Sequence, residues 1–507
     1  MTTQRSTQTV VAVDHRNVSL AAFLRVVGGA RVRLSANRAW RSRIARGRHI
    51  LEAALEKGEK VYGVSTGVGN SSWRGVDTRA QHEYSLSIME QHGCGVGAPL
   101  SPIESRAVVF ARLISLSKGL SAVRFGLLEA LCGLLNHDIA PVIPRWGSVG
   151  ASGDLTPLSY VAAALAGRRN TYHRGRITDA ARALQAEGLE PFVFGPKEPL
   201  AIMNGTSVMT GVGILAVDRF ERLLEHVEHA SALAAEVLLG RSQAFAPLVH
   251  DAKPHPGQLE SARRMRVAFR GSRLLDPPTK GGRPVQDRYS IRCVPQVVGS
   301  ARDAVAWARG VLQIELNSVN DNPLVDPEKG EVVFGGNFFG GHPALVMDTL
   351  KISAASVADL VDRQFALLVD EHHNMGMPET LVPYGGCGVK GLQVTCSALT
   401  ARAIHSSFPD SALSRPTEAG NQDKVSMGLH AALHASEVVS IVSQVLATEM
   451  IALSNAARFR DESRLSPGGR RLLQEIRRMS PVLTHDRPLD GDIGRLATWL
   501  DGAELLQ

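Results

Sequence analysis

Cysteine is scarce in this chain, and its five cysteines are scattered: Cys94, Cys132, Cys293, Cys387 and Cys396. None forms a C-x-x-C pair and their number is odd, which argues against both a disulfide framework and a zinc site. His372 and His373 follow Asp370 and Glu371 without the H-E-x-x-H spacing, so this cluster indicates a solvated helix end. We therefore predict no metal.

Long apolar runs and an export signal are also missing. No uninterrupted apolar stretch approaches the ~18 residues of a transmembrane helix. The first eight residues are polar and lack the apolar centre of a signal peptide. Hydrophobic residues nevertheless make up 44% of the 507 residues, which permits a large globular core. The sequence predicts a soluble, cytoplasmic protein without a membrane partner.

The net charge is +7, and arginines are concentrated at residues 31–48 and 458–478. Trp40, Ile44 and Leu51 fall at helical spacing within the first cluster, as on an amphipathic surface helix. No RNA-binding signature, zinc finger or aromatic-interleaved basic strand accompanies the arginines. We interpret the basic residues as a solvated face or a subunit contact and predict no nucleic-acid partner.

Long helical patterns dominate the second half. Residues 205–240, 343–369 and 431–457 carry apolar residues at broadly helical spacing, well beyond the usual ~11–12 residues of a helix. Helices of this length are typical of a bundle whose members pack along their full length. A short extended segment is expected near residues 332–334. The pattern alone predicts a mainly α fold.

The most informative stretch is residues 147–157, GSVGASGDLTP. If the Gly153 amide nitrogen attacks the Ala151 carbonyl carbon and two waters leave, one from Ser152, the backbone becomes 4-methylideneimidazole-5-one, a strong electrophile. Glycine suits the attacking position because it has no Cβ. The tripeptide alone is weak evidence, since it also fits a loop before a helix with Thr156 as N-cap. The string is not the G-x-S-x-G of a serine hydrolase.

The longer string GSVGASGDLTPLS closely resembles the signature of the histidine, phenylalanine and tyrosine ammonia-lyases, a family that includes 2,3-aminomutases. Four further segments resemble the family's tyrosine loop, asparagine motif, tyrosine–arginine segment and late motif, in the family's order: residues 62–69 (YGVSTGVG), 203–206 (MNGT), 286–296 (QDRYSIRCVPQ) and 421–427 (NQDKVSM). They extend over nearly the whole chain from about residue 60. Five ordered motifs make coincidence a poor explanation.

The resemblance implies an ammonia-lyase/fumarase-like fold with a long central helical bundle and a smaller N-terminal region that carries the electrophile loop. We expect residues 1–200 to form that region and residues 201–507 to form the bundle and C-terminal helices, as one functional unit. It also implies a homotetramer with active sites built from more than one subunit. The methylidene-imidazolone from Ala151, Ser152 and Gly153 is the only expected cofactor.

The resemblance assigns roles in a β-elimination, where an electrophile must bind the amine, a base must remove the β-proton and a cation must hold the carboxylate. Tyr62 matches the base, and Tyr289 the residue that assists proton transfer at the amine. Arg292 matches the carboxylate clamp, since guanidinium binds carboxylates in a bidentate fork. Asn204 matches the asparagine that hydrogen-bonds the substrate carboxylate, and Phe338 a pocket-lining position.

Three positions bear on the substrate ring. Gln91 and His92 align with the selectivity pair, expected as His-Leu in tyrosine, Phe-Leu in phenylalanine and Ser-His in histidine lyases. Both residues form hydrogen bonds, so a plain phenyl ring would leave them unsatisfied. Gln422 stands where histidine lyases are expected to carry a glutamate for the imidazole, which favours a tyrosine-like ring. Residues 385–391 depart from the Asn-Ser-Gly-Phe-Met stretch of most relatives.

We therefore predict elimination of ammonia from an aromatic L-amino acid with a polar ring, such as tyrosine, to a trans-arylacrylate. An aromatic amino acid 2,3-aminomutase uses the same residues, and a histidine ammonia-lyase is the next alternative. A helical scaffold without catalysis is the remaining one. The presence of Tyr62, Ser152, Tyr289 and Arg292 together argues against that scaffold.

Overall fold

The computed structural model describes residues 10–77, 81–278 and 285–502, most of them helical. The first α-helices are Leu20–Val27, Arg38–Glu56, Gln81–Gln91, Pro102–Ser117, Phe125–Asn136, Leu155–Leu165, Ala180–Ala186, Glu198–Met203 and Ser207–Val237. The others are Pro247–Asp251, Pro256–Ala268, Tyr289–Arg292, Val294–Leu316, Gly341–Val369, Lys390–His405, Gly428–Ala456, Pro467–Met479 and Asp490–Leu500. The prediction of a mainly α fold is confirmed.

The strands of the described residues form small sheets of two or three strands. Val10–Val13 pairs in parallel with Arg31–Leu34. Antiparallel pairing joins Val96–Pro99 to Pro144–Trp146, Ala140–Pro141 to Asn170–His173, Asn170–His173 to Arg176–Asp179, and Leu324–Asp326 to Glu331–Val333. The extended segment expected near residue 332 is thus confirmed.

By its internal contacts the chain divides into two compact units. The first runs to Leu215 and adds Arg309–Met347 and Pro409–Leu433. The second comprises Ala216–Ala308, Asp348–Phe408 and the residues from His434 onward. Each unit is assembled from separate stretches, whereas the expected regions 1–200 and 201–507 are continuous, so that functional boundary stays a prediction.

The three long helical patterns correspond to the helices Ser207–Val237, Gly341–Val369 and Gly428–Ala456. The last, counted to Phe459, is the one described helix long and apolar enough to span a membrane by length and composition. However, 78% of the most apolar 18-residue stretch of this helix is buried inside the protein. Burial on all sides is typical of a core helix in a globular protein.

The arginine-rich segment near the N-terminus forms the amphipathic helix Arg38–Glu56, as predicted. Asn37 caps it, with its Oδ1 accepting a 3.2 Å hydrogen bond from the Trp40 amide, which satisfies a donor of the first turn. Trp40, Ile44 and Leu51 are almost fully buried, and the Trp40 Nε1 donates to the Ser117 carbonyl at 2.7 Å. Arg38, Arg41 and Arg46 lie on the exposed face, whereas Arg43 and Arg48 are partly buried.

The second unit buries an ionisable group on its core helix. Glu449 is fully buried, and neither of its carboxylate oxygens has a hydrogen-bond partner among the described residues. Burial raises the pKa of Glu449 well above its usual range, because a low-dielectric interior disfavours the charged form. Burial thus favours the protonated, neutral form of Glu449.

Candidate active site

The Ala151-Ser152-Gly153 segment lies in a loop of the first unit, immediately before the helix Leu155–Leu165. Its backbone turns back on itself, because Ala151 and Gly153 are paired in an isolated bridge and Gly153 has a φ of +69°. A Cβ on Gly153 would lie 2.2 Å from the Gly205 carbonyl oxygen. Only glycine fits there, and the compressed turn suits attack of its nitrogen on Ala151. These residues therefore fit the predicted electrophile.

Hydrogen bonds hold this loop from both sides. Ser148 Oγ accepts from the Gly150 amide at 3.0 Å and donates to the Gly153 carbonyl at 3.1 Å. From the late motif, Ser426 Oγ donates to the Gly150 carbonyl at 3.3 Å and the Met427 amide donates to the Val149 carbonyl at 2.9 Å. The turn is therefore fixed before any chemistry occurs.

The helix after the loop begins two residues earlier than the loop-and-helix alternative assumed. Asp154, and not Thr156, is the N-cap, so Thr156 as N-cap is wrong. The Asp154 amide donates to the Gly205 carbonyl at 2.7 Å, and its Oδ2 accepts from the Val208 and Met209 amides at 3.0 and 2.9 Å. The Asp154 carboxylate thus binds the first turn of the helix Ser207–Val237 and makes no side-chain cap on its own helix. Burial raises the pKa of Asp154 to about 7, although the two backbone hydrogen bonds oppose the shift.

A cavity of about 70 Å³ lies against Ser152 in the first unit. Seven predicted site residues line it: Tyr62, Gln91, His92, Ser152, Asn204, Phe338 and Gln422. Apolar side chains complete its wall, including Ile88, Leu155 and Leu200. The structure thus brings together the expected base, the electrophile loop and the expected ring-binding residues.

Tyr62 enters this cavity from the glycine-rich loop. The Gly69 amide donates a 2.9 Å hydrogen bond to the Tyr62 Oη. Burial raises the pKa of Tyr62, the Gly69 hydrogen bond opposes this, and the negative charge of Glu418 adds to it. Within this chain Tyr62 is therefore a protonated phenol at neutral pH, and a cationic group near the hydroxyl would lower its pKa and populate the phenolate.

His92 follows the helix Gln81–Gln91 and faces the same cavity. Its Nδ1 lies 3.1 Å from Thr156 Oγ1. Burial lowers the pKa of His92, with Glu418 acting in the opposite direction. A neutral imidazole at this position presents one donor and one acceptor nitrogen. Together with Gln91 it gives the cavity a polar edge.

Sequence reasoning missed Glu418, which also lines the cavity. Glu418 and Ala419 both have left-handed φ values, +50° and +52°, between the paired residues Thr417 and Gln422. This short loop brings the Glu418 carboxylate against Gly69, where a Cβ would lie 2.7 Å from its Oε2. In the sequence, only its place four residues before Gln422 could have marked Glu418 as a cavity residue.

Gln422 is held by its neighbour and directed at the electrophile loop. Thr417 Oγ1 donates to the Gln422 Oε1 at 2.5 Å. The Gln422 Nε2 in turn donates to the Ser152 Oγ at 3.3 Å. Thr417, Gln422 and Ser152 therefore form a chain of hydrogen bonds that ends at the Ser152 hydroxyl group.

Asn204 lies at the floor of the cavity, and its environment fixes the orientation of its amide. Its Nδ2 donates to the Asn322 carbonyl at 2.8 Å and lies 3.4 Å from Asp321 Oδ1. Its Oδ1 is buried with no partner among the described residues. A free amide oxygen accepts hydrogen bonds, which suits an ammonium group. The expected contact of Asn204 with the substrate carboxylate stays a prediction.

The structure does not place Tyr289 and Arg292 in this cavity. They line a separate cavity of about 690 Å³ in the second unit. Tyr289 is 71% exposed, and the Arg292 guanidinium lies 4.5 Å from the centre of its ring. The Arg292 Nη1 donates to the Gln286 Oε1 at 2.5 Å. The predicted site residues of this chain therefore form two groups, each lining a different cavity.

The histidine pair near residue 372 belongs to a helix terminus, as predicted. The helix Gly341–Val369 ends just before Asp370, whose Oδ2 lies 2.6 Å from the His373 Nδ1. The Arg288 guanidinium contacts the His373 Nε2. Among the residues that the structure describes, no group of three or more histidine, cysteine or acidic side chains is arranged to hold a metal ion.

Comparison with known proteins identifies the family. The model of the aromatic amino acid lyases matches residues 18–478. A histidine ammonia-lyase of Anaeromyxobacter dehalogenans is 39% identical, covering 97% of this chain and 99% of that protein.

Solved structures of similar proteins support the same family. A tyrosine aminomutase of Streptomyces globisporus matches with a TM-score of 0.92 and 36% identity, covering 98% of both chains. The phenylalanine aminomutase of Pantoea agglomerans matches with a TM-score of 0.92 and 30% identity, covering 97% of this chain and 98% of that one. The family predicted from the motifs is confirmed, and the chain belongs to the aromatic amino acid lyases, a family of ammonia-lyases and aminomutases.

Proposed function

We propose that this protein is an ammonia-lyase that converts an aromatic L-amino acid with a polar ring, such as tyrosine, to the trans-arylacrylate. The observation that carries the proposal is the cavity in which Ser152, the phenol of Tyr62 and the polar edge of Gln91 and His92 converge. The proposed electrophile, the proposed base and the residues that would bind the ring line one small cavity. Catalysis by proximity and orientation requires such an arrangement.

The cofactor in this proposal forms from Ala151, Ser152 and Gly153. The tight turn, the left-handed Gly153 and the hydrogen-bonded frame around the loop support it. Once formed, the methylidene group supplies an electrophilic carbon for the substrate amine.

Tyr62 removes the β-proton in the proposed reaction. Its hydroxyl already accepts a hydrogen bond from the Gly69 amide, which stabilises the developing phenolate. The burial that raises its pKa also makes the phenolate a stronger base once it forms. A cation that enters with the completed site would bring its pKa toward the working range.

Arg292 and Tyr289 complete the site in this proposal from another subunit of a homotetramer. Arg292 Nε is buried with no partner among the described residues, and the exposed Tyr289 ring lies beside its guanidinium. The guanidinium provides the bidentate clamp for the substrate carboxylate, while Tyr289 assists proton transfer at the amine. The Arg292 guanidinium also supplies a positive charge that would lower the pKa of Tyr62.

The ring end of the substrate meets Gln91 and His92. A phenol hydroxyl donates to one of these side chains and accepts from the other, so neither polar group is left unsatisfied. Phenylalanine offers no such partner. The negative charge of Glu418, which lines the same cavity, favours binding of the substrate ammonium group. The Asn204 Oδ1, which has no partner among the described residues, accepts a hydrogen bond from the same ammonium group.

Histidine is the second candidate, and Glu418 favours it. Gln422 stands where a histidine lyase is expected to carry a glutamate that binds the imidazole. Glu418, however, brings a carboxylate into the same cavity as His92. The similarity to histidine ammonia-lyases supports the same candidate. The similarity to a tyrosine aminomutase supports a third reaction, return of the amine to the β-carbon.

The test is a chromatographic product screen with L-tyrosine, L-phenylalanine, L-histidine and L-3,4-dihydroxyphenylalanine, with Ser152→Ala as the matched control. We expect an arylacrylate and free ammonia from a polar-ring substrate, and none from the control. Urocanate as the main product would replace tyrosine by histidine, and a β-amino acid would identify an aminomutase. Wild-type turnover by Ser152→Ala would overturn the mechanism.

A further inference from the structure

We propose that Gln422, oriented by Thr417, assists formation of the electrophile by donating a hydrogen bond to the Ser152 hydroxyl group as it leaves. The inference rests on the proposed function, since it concerns how the cofactor of that reaction forms. It gives Gln422 and Thr417 a role before the first substrate molecule is bound.

The geometry that supports this role is a chain of two hydrogen bonds. The Gln422 Nε2 lies 3.3 Å from the Ser152 Oγ, and the Thr417 Oγ1 lies 2.5 Å from the Gln422 Oε1. Both side chains project from the two paired ends of one loop, with backbone hydrogen bonds of 3.1 and 3.3 Å between residues 417 and 422. The donor is therefore held by its backbone as well as by its side-chain partner.

Thr417 decides which end of the Gln422 amide faces Ser152. A glutamine amide presents either an acceptor oxygen or a donor NH₂ group, depending on its rotation. The hydroxyl of Thr417 binds the oxygen, so the NH₂ group is turned toward Ser152. The hydrogen bond to the oxygen also polarises the amide and strengthens its N–H as a donor.

The chemistry needs a donor at this position in one of its two dehydrations. Ring closure joins the Gly153 nitrogen to the Ala151 carbonyl carbon and releases the carbonyl oxygen as water with the amide hydrogens of Ser152 and Gly153. The second dehydration breaks the Cβ–Oγ bond of Ser152, and its Cα loses a proton as the C=C bond forms. The departing hydroxyl takes up a proton and leaves as water.

Hydroxide is a poor leaving group, so negative charge grows on Oγ as the bond breaks. A preorganised N–H aimed at that oxygen stabilises the charge at the moment it develops. The Gln422 Nε2 is already within hydrogen-bond distance of Oγ. No oxidant or external reagent enters either step, since only water is lost.

The test follows dehydration by mass rather than by turnover. Full-length wild type, Thr417→Val, Thr417→Ser and Gln422→Leu are made by cell-free synthesis and sampled over time. The peptide that contains residues 147–157 is then weighed for the loss of two waters, and circular dichroism of each purified protein records helix content. Ser152→Ala provides the mass reference for a chain that cannot form the methylidene.

We expect wild type and Thr417→Ser to lose two waters at similar rates, because both keep the hydroxyl at residue 417. Thr417→Val removes only that hydroxyl, and Gln422→Leu removes the donor. Each should slow the loss by about tenfold or more, the usual effect of one aligned hydrogen bond in a transition state. A merely structural role of Thr417 would reduce helix content and leave the rate per folded chain unchanged.

Equal rates per folded chain in Thr417→Val, Gln422→Leu and wild type would overturn the inference while leaving the proposed function intact. A wild-type peptide that keeps its full mass would overturn the proposed function, and the inference with it. The two failures are thus distinguished by the wild-type mass alone.

Discussion

The Gly69 amide donates its hydrogen bond to the Tyr62 hydroxyl at the same point where the Glu418 carboxylate packs against Gly69. One group stabilises the Tyr62 phenolate and the other destabilises it. The balance between them predicts the pH dependence of the proposed base.

We expect Glu418→Gln to shift the ascending, low-pH limb of the kcat/KM profile to lower pH. Burial is the main reason that the Tyr62 pKa is raised, and the charge of Glu418 adds to it. Removing that charge lowers the Tyr62 pKa, so the active phenolate becomes populated at lower pH. A pH–rate profile from pH 7 to 11 measures the shift.

The matched control for this shift is Glu328→Gln. Glu328 pairs with Arg43 and Arg46 on the surface and does not line the cavity. Its profile should coincide with that of the wild type. A limb in Glu418→Gln that stays in place or moves to higher pH contradicts the assignment of Tyr62 as the base.

Mixed oligomers test whether the groups around Ser152 and Arg292 form one active site with residues from different subunits. Ser152→Ala lacks the electrophile and Arg292→Ala lacks the carboxylate clamp, so each variant alone should be nearly inactive. Random assembly of equal amounts should restore about a quarter of the wild-type sites in a symmetric oligomer built from shared interfaces. Steady-state assays of co-expressed variants measure this, and an inactive mixture would show that one chain supplies both residues.

The buried acid of the second unit predicts a pH-dependent stability. Because the folded-state pKa of Glu449 is raised, the unfolded chain loses its proton first, and wild type loses stability as pH rises above about 4.5. Glu449→Gln has no such loss. We expect its thermal midpoint to match wild type near pH 4 and to exceed it increasingly toward pH 8.

The opposite trend in Glu449→Gln, or parallel curves over the whole pH range, would mean that the Glu449 carboxylate is charged in the folded protein. Glu437→Gln, on the same helix but paired with Arg402 at the surface, is the control. It should follow the wild-type curve, because exposed ion pairs contribute little to stability.

A buried ion pair between Lys197 and Asp321 lies beside Asn204, one of the residues that line the cavity. Lys197 Nζ lies 2.5 Å from Asp321 Oδ2, and both side chains are fully buried. Lys197→Met leaves the Asp321 carboxylate without its counter-ion and should cost about 3–5 kcal/mol of unfolding free energy. The double variant Lys197→Met/Asp321→Asn should recover part of that loss in thermal unfolding, and a single variant as stable as wild type would refute this estimate.

Local sequence patterns predicted the helices well, because apolar periodicity is a direct consequence of burial. The helices Ser207–Val237, Gly341–Val369 and Gly428–Ala456 lie close to the segments expected from spacing alone. Trp40 and Leu51 are buried as their positions indicated. The start of one helix was missed by two residues at Asp154, whose amide and carboxylate bind Gly205 and the amides of Val208 and Met209, more than fifty residues along the chain.

The site was predicted where a motif marks it and missed where only the folded loop creates it. Ser152, Tyr62 and His92 line one cavity as the motifs implied. Glu418 reaches it through consecutive left-handed residues that no short pattern encodes. The free oxygen of Asn204 is set by partners more than a hundred residues away, so its orientation was not readable from the asparagine motif.

One loop of six residues, 417–422, carries both the carboxylate of Glu418 on the cavity wall and the amide of Gln422 at Ser152. In the proposed function and the proposed maturation step, substrate preference and cofactor formation thus depend on the same loop. A transplant of this loop into a relative would exchange both traits in a single step. An insertion within it would change the register of both side chains, so selection for a new substrate acts at once on the assembly of the catalyst.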